Sequence, residues 1–379
     1  MYKAIVNANI VTPDGIIYDG KLVIENNRIF DILTANDPLP ETAQIIDGEG
    51  AYVGPGFVDI HVHGFGSGET FDADAGTIDH FLSHGTTSLL ATPYYSYNFA
   101  KTLQDIHNAK EAMKKSHVIK GIYMEGPYTN PCYGANADTN PWRHGIVEEE
   151  YKALVDACGT DVKVWTTAPE LDGILDFYAY ARKVNPDVVI ALGHSEATPH
   201  QIDALGKYRP TLMTHTMNAT GRPPVPRGTR GYGPDEYCFS HPDMYAELIC
   251  DSCGMHVNPS LQRMLLQIKG VHKVVLITDS VKFDAPIPEE LKHVPDLCFD
   301  HSGDLAGSQL TLDRACRNIM SHTNCGIAQA FIMTSLNPAK VIGMDQEIGS
   351  IEKGKLADLV FVDDKFNVLR VMSEGEFYE

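Results

Sequence analysis

Gly56-Phe57-Val58-Asp59-Ile60-His61-Val62-His63-Gly64 sets two histidines two residues apart at the end of an apolar run. Side chains alternate faces along a strand, so His61 and His63 leave its end in the same direction. Neutral imidazole is the commonest protein ligand for divalent transition metals, and a strand end leaves room for water and substrate beside an ion. The pair reads either as metal ligands or as two histidines packed at a strand terminus. Further along, Glu125, His194, His215 and Asp279 lie at the ends of other apolar runs. Each of them alone is compatible with an ordinary core or surface role; together they point to a metal site.

Six such residues need a frame that brings them together. From Gly56 onward the chain has eight near-continuous apolar runs, at 58–63, 86–92, 119–125, 162–169, 188–194, 211–218, 245–251 and 274–279, separated by segments with helical periodicity. Eight buried strands with helical connections predict an α/β fold, a (β/α)8 TIM-like barrel, whose active sites form at the C-terminal ends of the strands. Residues 1–54 alternate short β-rich runs (3–11, 21–25, 28–33) with the turn signals Pro13-Asp14-Gly15 and Glu25-Asn26-Asn27. Beyond the eighth run, helical patterns at 311–323 and 327–342 give way to strand and turn character at 348–362. The simplest arrangement is a small β-sandwich domain made from both termini, 1–54 plus 345–379, beside a barrel at 55–344.

The net charge of −20, from 30 basic and 50 acidic side chains, argues against a nucleic-acid or anionic-membrane partner, since both need a broad basic surface. The N-terminus lacks a signal-peptide core, and no stretch approaches roughly 18 uninterrupted apolar residues, so the chain reads as cytoplasmic. Eight cysteines without regular spacing are not a disulfide framework. Cys250 and Cys253 form one Cys-x-x-Cys with no second pair, and read as free thiols rather than a zinc knuckle.

This constellation resembles the amidohydrolase superfamily and, within it, the N-acetylglucosamine-6-phosphate deacetylase family. The marks are the Pro55-to-Gly64 motif, Met124-Glu125-Gly126-Pro127, Gly193-His194-Ser195, Thr214-His215-Thr216-Met217-Asn218-Ala219, Cys253-Gly254-Met255-His256-Val257, Ile277-Thr278-Asp279 and Leu305-Ala306-Gly307-Ser308. The resemblance implies Glu125, His194 and His215 as ligands of one ion and Asp279 as the catalytic acid/base. It gives His61 and His63 to a second ion that Glu125 can bridge. The expected cofactor is a divalent metal, one or two ions per chain, zinc first, with iron, manganese or cobalt as alternatives. It also implies sugar-phosphate contacts from Asn218, Ala219, His256, Leu305, Ala306 and Gly307, with Ala135 and Asn136 near the sugar, and a homodimer.

An amide carbonyl is a poor electrophile and neutral water a poor nucleophile; a divalent ion polarises the first and lowers the pKa of the second to roughly 7. Asp279 can then move the proton to the leaving amine. The segment at 221–234 is a loop with Arg222, Arg227 and Arg230 among glycines and prolines, and guanidinium groups match phosphate oxygens; Arg222, nearest after Asn218 and following the glycine that the resemblance places before a phosphate arginine, is the first candidate for a phosphate contact and Arg227 the second. Gly134-Ala135-Asn136 and Gly221-Arg222-Pro223-Pro224 both depart from the family pattern, in the regions of sugar and phosphate recognition. The expected substrate is a phosphorylated amino sugar, N-acetylglucosamine 6-phosphate, deacetylated in amino-sugar catabolism. The alternatives are its galacto epimer or another acetamido sugar, a cyclic-amide hydrolase of the same superfamily, and a non-catalytic barrel. Glu125 in place of a bridging lysine and the His-x-x-Asn-Ala motif weigh against the cyclic-amide reading, and retention of all six residues against the non-catalytic one.

Overall fold

The runs that read as apolar without interruption form strands buried on both faces, as parallel strands between a packed interior and an outer layer of helices must be. In the computed structural model, which describes residues 2–65, 68–69, 75–135, 137–223, 225–229, 231–281 and 285–378, the barrel strands are β1 (Phe57–Val62), β2 (Thr86–Ala91), β3 (Ile119–Glu125), β4 (Val162–Thr167), β5 (Val189–Leu192), β6 (Leu212–Met213), β7 (Tyr245–Ile249) and β8 (Val274–Ile277). They pair in sequence order, all parallel. Every residue of β1, β2 and β8 is buried. Backbone bonds join the two ends of the sheet: the Asp279 N–H donates to the His61 carbonyl (2.9 Å) and the His63 N–H to that of Ser280 (2.8 Å).

β5 and β6 are shorter than their apolar runs. The strand at 211–218 stops at Met213 because His215, Met217 and Ala219 take left-handed φ values of 24°, 66° and 52°, which no strand accommodates. Among the described residues, no helix is long and apolar enough to cross a membrane.

The segments Tyr2–Thr12, Gly15–Glu25, Arg28–Leu33, Gln44–Asp47 and Tyr52–Pro55 hydrogen-bond with Leu359–Val362, Val368–Ser373 and Glu376–Phe377 in one eight-stranded sheet. Tyr2–Thr12 changes parallel partner midway, from Gln44–Asp47 to Tyr52–Pro55, and its register shifts twice between Ile5 and Ile10. The sheet encloses Ile5, Ile10, Leu22, Ile24, Val53 and Phe361. Phe57 of β1 packs against Phe331 and Phe366 (5.8 and 5.9 Å between centroids), tying the start of the barrel to C-terminal elements.

Candidate metal centre

Each of the six residues sits at, or within two positions of, the C-terminal end of its strand: His61 on β1 and His63 just after it, Glu125 on β3, His194 after β5, His215 after β6 and Asp279 after β8. His194, His215 and Asp279 turn inward through left-handed backbone at φ 45°, 24° and 48°. A non-glycine residue held in such a region costs on the order of 1–3 kcal/mol and persists only where its surroundings enforce it. Here the Asn130 N–H donates to the His194 carbonyl (2.9 Å) and the Asn218 N–H to that of His215 (3.0 Å).

The six side chains are buried and form two groups, His61 with His63 and Asp279, and Glu125 with His194 and His215; the ligand atoms of each lie within 4.8 Å of one another. Glu125 faces both. Its Oε1 lies 2.8 Å from His194 Nε2 and 3.1 Å from His215 Nε2, while Oε2 lies 3.2 Å from His63 Nε2. Asp279 Oδ1 is 3.3 Å from His63 Nε2 and 3.7 Å from His61 Nε2.

These separations suit a metal. Donors about 2.1 Å from a shared ion stand roughly 3–3.5 Å apart in tetrahedral geometry. His61 Nε2 is buried and has no hydrogen-bond partner among the described residues, although Glu125 and Asp279 oxygens lie 3.7 Å away. The four imidazoles also share one orientation. Nδ1 of His63, His194 and His215 meets the carbonyl oxygens of Thr92 (2.9 Å), Tyr133 (3.1 Å) and Asn218 (3.1 Å), and Nδ1 of His61 meets Glu247 Oε2 (3.1 Å). An acceptor opposite Nδ1 places the proton there and leaves the Nε2 lone pair for a ligand, as in metal-binding histidines generally.

Burial opposes ionisation of Glu125 and Asp279, but the imidazoles around them overcome it and hold Glu125 well below the carboxylate range and Asp279 below it. The same attraction acts on the histidines against burial, raising His61 well above its ordinary value, His215 above it, and His63 to about 9. Behind this cluster Asp59, raised to about 7 by burial, accepts the Thr278 hydroxyl (2.6 Å) and braces the end of β8 against β1.

The cluster opens into a cavity of about 280 Å³ lined in part by Ala135, Asn218, Ala219, Leu305, Ala306 and Gly307. His256 is not among the residues that line it and meets the lining through Gly307. Asp251 holds its Nδ1 at 3.0 Å, and its Nε2 lies 3.0 Å from the Gly307 carbonyl. The expected arginines are elsewhere: Arg222 pairs with Glu236 (2.7 Å) beside a separate depression of about 380 Å³ lined in part by Met217, Asp235 and Phe239, and Arg227 is exposed. Asn136 and Arg230 lie outside the described residues.

Tyr94, Tyr95 and Asp304 line the cavity without having been expected there. The Tyr94 ring stands edge-on to His63 (5.2 Å), the Tyr95 ring tilts over His194 (4.7 Å), and the Tyr95 hydroxyl donates to the Ala135 carbonyl. Burial raises both phenols, so each remains a proton donor. Their position immediately after the run at 86–92 was the available signal. Gly134, at φ 94°, passes so close that a Cβ would lie 2.6 Å from the His194 ring.

Comparison with known sequences and folds identifies the family. The profile described as Amidohydrolase family matches residues 52–377. The chain is 28% identical, over 97% of its length and 94% of the relative's, to the N-acetylglucosamine-6-phosphate deacetylase of Bacillus subtilis strain 168. It is also 28% identical, over 97% of both chains, to the N-acetylgalactosamine-6-phosphate deacetylase of Escherichia coli O157:H7. The crystal structure of the N-acetylglucosamine-6-phosphate deacetylase from Pasteurella multocida superposes with a TM-score of 0.85 over the full length of both chains at 26% identity.

Proposed function

The chain belongs to the amidohydrolase family, and from that premise we propose that it hydrolyses the acetamide of N-acetylglucosamine 6-phosphate to acetate and glucosamine 6-phosphate. The observation that carries the proposal is the pair of buried triads facing the two oxygens of Glu125, in a fold aligned end to end with enzymes of that name. The residues favour two divalent ions. Glu125, His194 and His215 would hold one, and His61, His63 and Asp279 the other, with Glu125 between them. Imidazole and carboxylate donors suit zinc first, and also iron, manganese or cobalt.

Bound there, such ions supply Lewis acidity, polarising the acetamide carbonyl and acidifying water. The remaining work falls to the protein. Asp279, ionised in its buried setting, takes a proton from the attacking water as the new C–O bond forms. It returns that proton to the amide nitrogen as the C–N bond breaks, because the amine leaves only once protonated. The strained turn at Asp279 fixes the carboxylate against His63, so that proton transfer needs little reorganisation.

In this reading the sugar occupies the cavity beside Ala135, Asn218 and Ala219, with Tyr94 and Tyr95 as an aromatic wall, and His256 and the 305–307 segment near its polar groups. Arg222, paired with Glu236 beside a separate depression, would meet the phosphate only by leaving that carboxylate. A second reading, the galacto epimer, is favoured by the similarity to the N-acetylgalactosamine-6-phosphate enzyme. Acetate release from the 6-phosphates of both N-acetylhexosamines and from the unphosphorylated sugars tests both. Preference for either 6-phosphate selects between the epimers, and equal rates with and without phosphate remove the phosphorylated substrate class.

A further inference from the structure

Three of the four histidines in the metal centre present Nδ1 to a backbone carbonyl, whereas His61 presents it to a side-chain carboxylate, Glu247 on β7. The same oxygen, Oε2, also accepts the backbone N–H of His215 (3.2 Å). That residue needs the support, because it sits at φ 24°. One oxygen thus joins a histidine of the first triad to a histidine of the second.

Glu247 is fully buried between the apolar residues Ala246 and Leu248, and its other oxygen has no partner among the described residues. A carboxylate in such a place is expensive, and an apolar side chain of similar volume would avoid the desolvation cost. What the apolar side chain could not do is hold His61 and His215. The Tyr123 ring lies stacked on His61 (4.4 Å between centroids, 23° between planes), so the imidazole is restrained from its face as well as its edge. The Tyr123 hydroxyl is engaged by Thr166 and Thr214, at 2.9 and 3.1 Å.

We infer that Glu247 is a positioning residue for the metal centre, fixing the Nε2 lone pair of His61 toward the ion and steadying the turn that presents His215. The inference rests on the metal-centre reading given above. An anionic acceptor also makes the imidazole a stronger ligand than a carbonyl does, and outer partners of this kind typically change metal affinity by about 10- to 100-fold when removed. The effect belongs chiefly to the ion of His61, His63 and Asp279, because His61 depends on Glu247 through its side chain and His215 only through its backbone.

The test uses the full-length protein stripped with a chelator and titrated with zinc against a competing chromophoric chelator, with ions per chain measured by elemental analysis and thermal melting as the folding control. Wild type should take up two ions. Glu247→Gln, which keeps the shape but removes the charge, should weaken the ion of His61, His63 and Asp279 about 10-fold, and Glu247→Ala should weaken it further, toward 100-fold. Two ions bound at wild-type affinity in both folded variants would overturn the inference while leaving the metal centre intact. If Glu247→Ala does not fold, unchanged affinity in Glu247→Gln overturns it alone. Wild type that binds no zinc removes the metal-centre reading itself, and this inference with it.

Discussion

In the proposed mechanism Asp279 carries the proton, a role that none of its neighbours shares. Asparagine keeps its size and cannot accept a proton from water, so Asp279→Asn should lower kcat by at least about 10²-fold. The ion held by Glu125, His194 and His215 should remain, as measured by elemental analysis beside acetate release; near-normal turnover would assign the proton transfer elsewhere. The histidines give a pH dependence of opposite kind. His63 is raised to about 9 by its two carboxylate neighbours, so below that pH its metal-free form carries a proton that ligation must expel. Metal affinity should therefore rise with pH and level off near 9. Titration calorimetry at pH 7.5 in buffers of different ionisation enthalpy should show net proton release, and buffer-independent heats would contradict the assignment. At this scale the sequence was informative where residue type and strand end coincided, as for the six residues of the centre. Glu247 was not found that way because it interrupts an apolar run from within, and Tyr94 and Tyr95 because tyrosine after a strand reads as core.

Among the elements, the connecting turns shape the site more than the strands do. The eight runs foretold where strands lie, since burial on both faces leaves an uninterrupted apolar pattern. Their ends were less legible, because the left-handed turns at His194, His215 and Asp279 are enforced by contacts from distant segments. The Gly134 turn is one such contact. Gly134→Ala would place a methyl 2.6 Å from the His194 ring at a φ of 94°, so one of the two must move. The variant should lose on the order of 1–3 kcal/mol in stability and bind the His194 ion more weakly, as read by thermal melting and zinc titration; an unaltered zinc affinity would show the turn to be yielding. The arginine loop is the opposite case, where composition suggested phosphate and the structure ties Arg222 to Glu236. If Arg222 leaves Glu236 for substrate, Arg222→Ala should raise KM for the phosphorylated sugar more than it lowers kcat, and barely alter the unphosphorylated one. Equal effects on both would mean that the arginine only holds the loop.

For the molecule as a whole, the barrel brings together six residues that span positions 61 to 279 of the sequence, and all of them but His61 line one cavity. The pairing of Leu359–Val362 with Tyr52–Pro55 joins the chain's two ends in one sheet, directly before β1 begins. Residue patterns carried the barrel and its chemistry; which surface receives the phosphate depends on loops whose course is set by packing rather than by local sequence. The central claim is a metal-dependent deacetylation of an N-acetylhexosamine 6-phosphate, and its most direct test is acetate release from N-acetylglucosamine 6-phosphate by chelator-stripped protein before and after zinc is restored. The account predicts negligible release before, recovery on addition of up to two equivalents, and faster turnover than with unphosphorylated N-acetylglucosamine; release that is undiminished by stripping, or absent with every 6-phosphate after metal is restored, would contradict it.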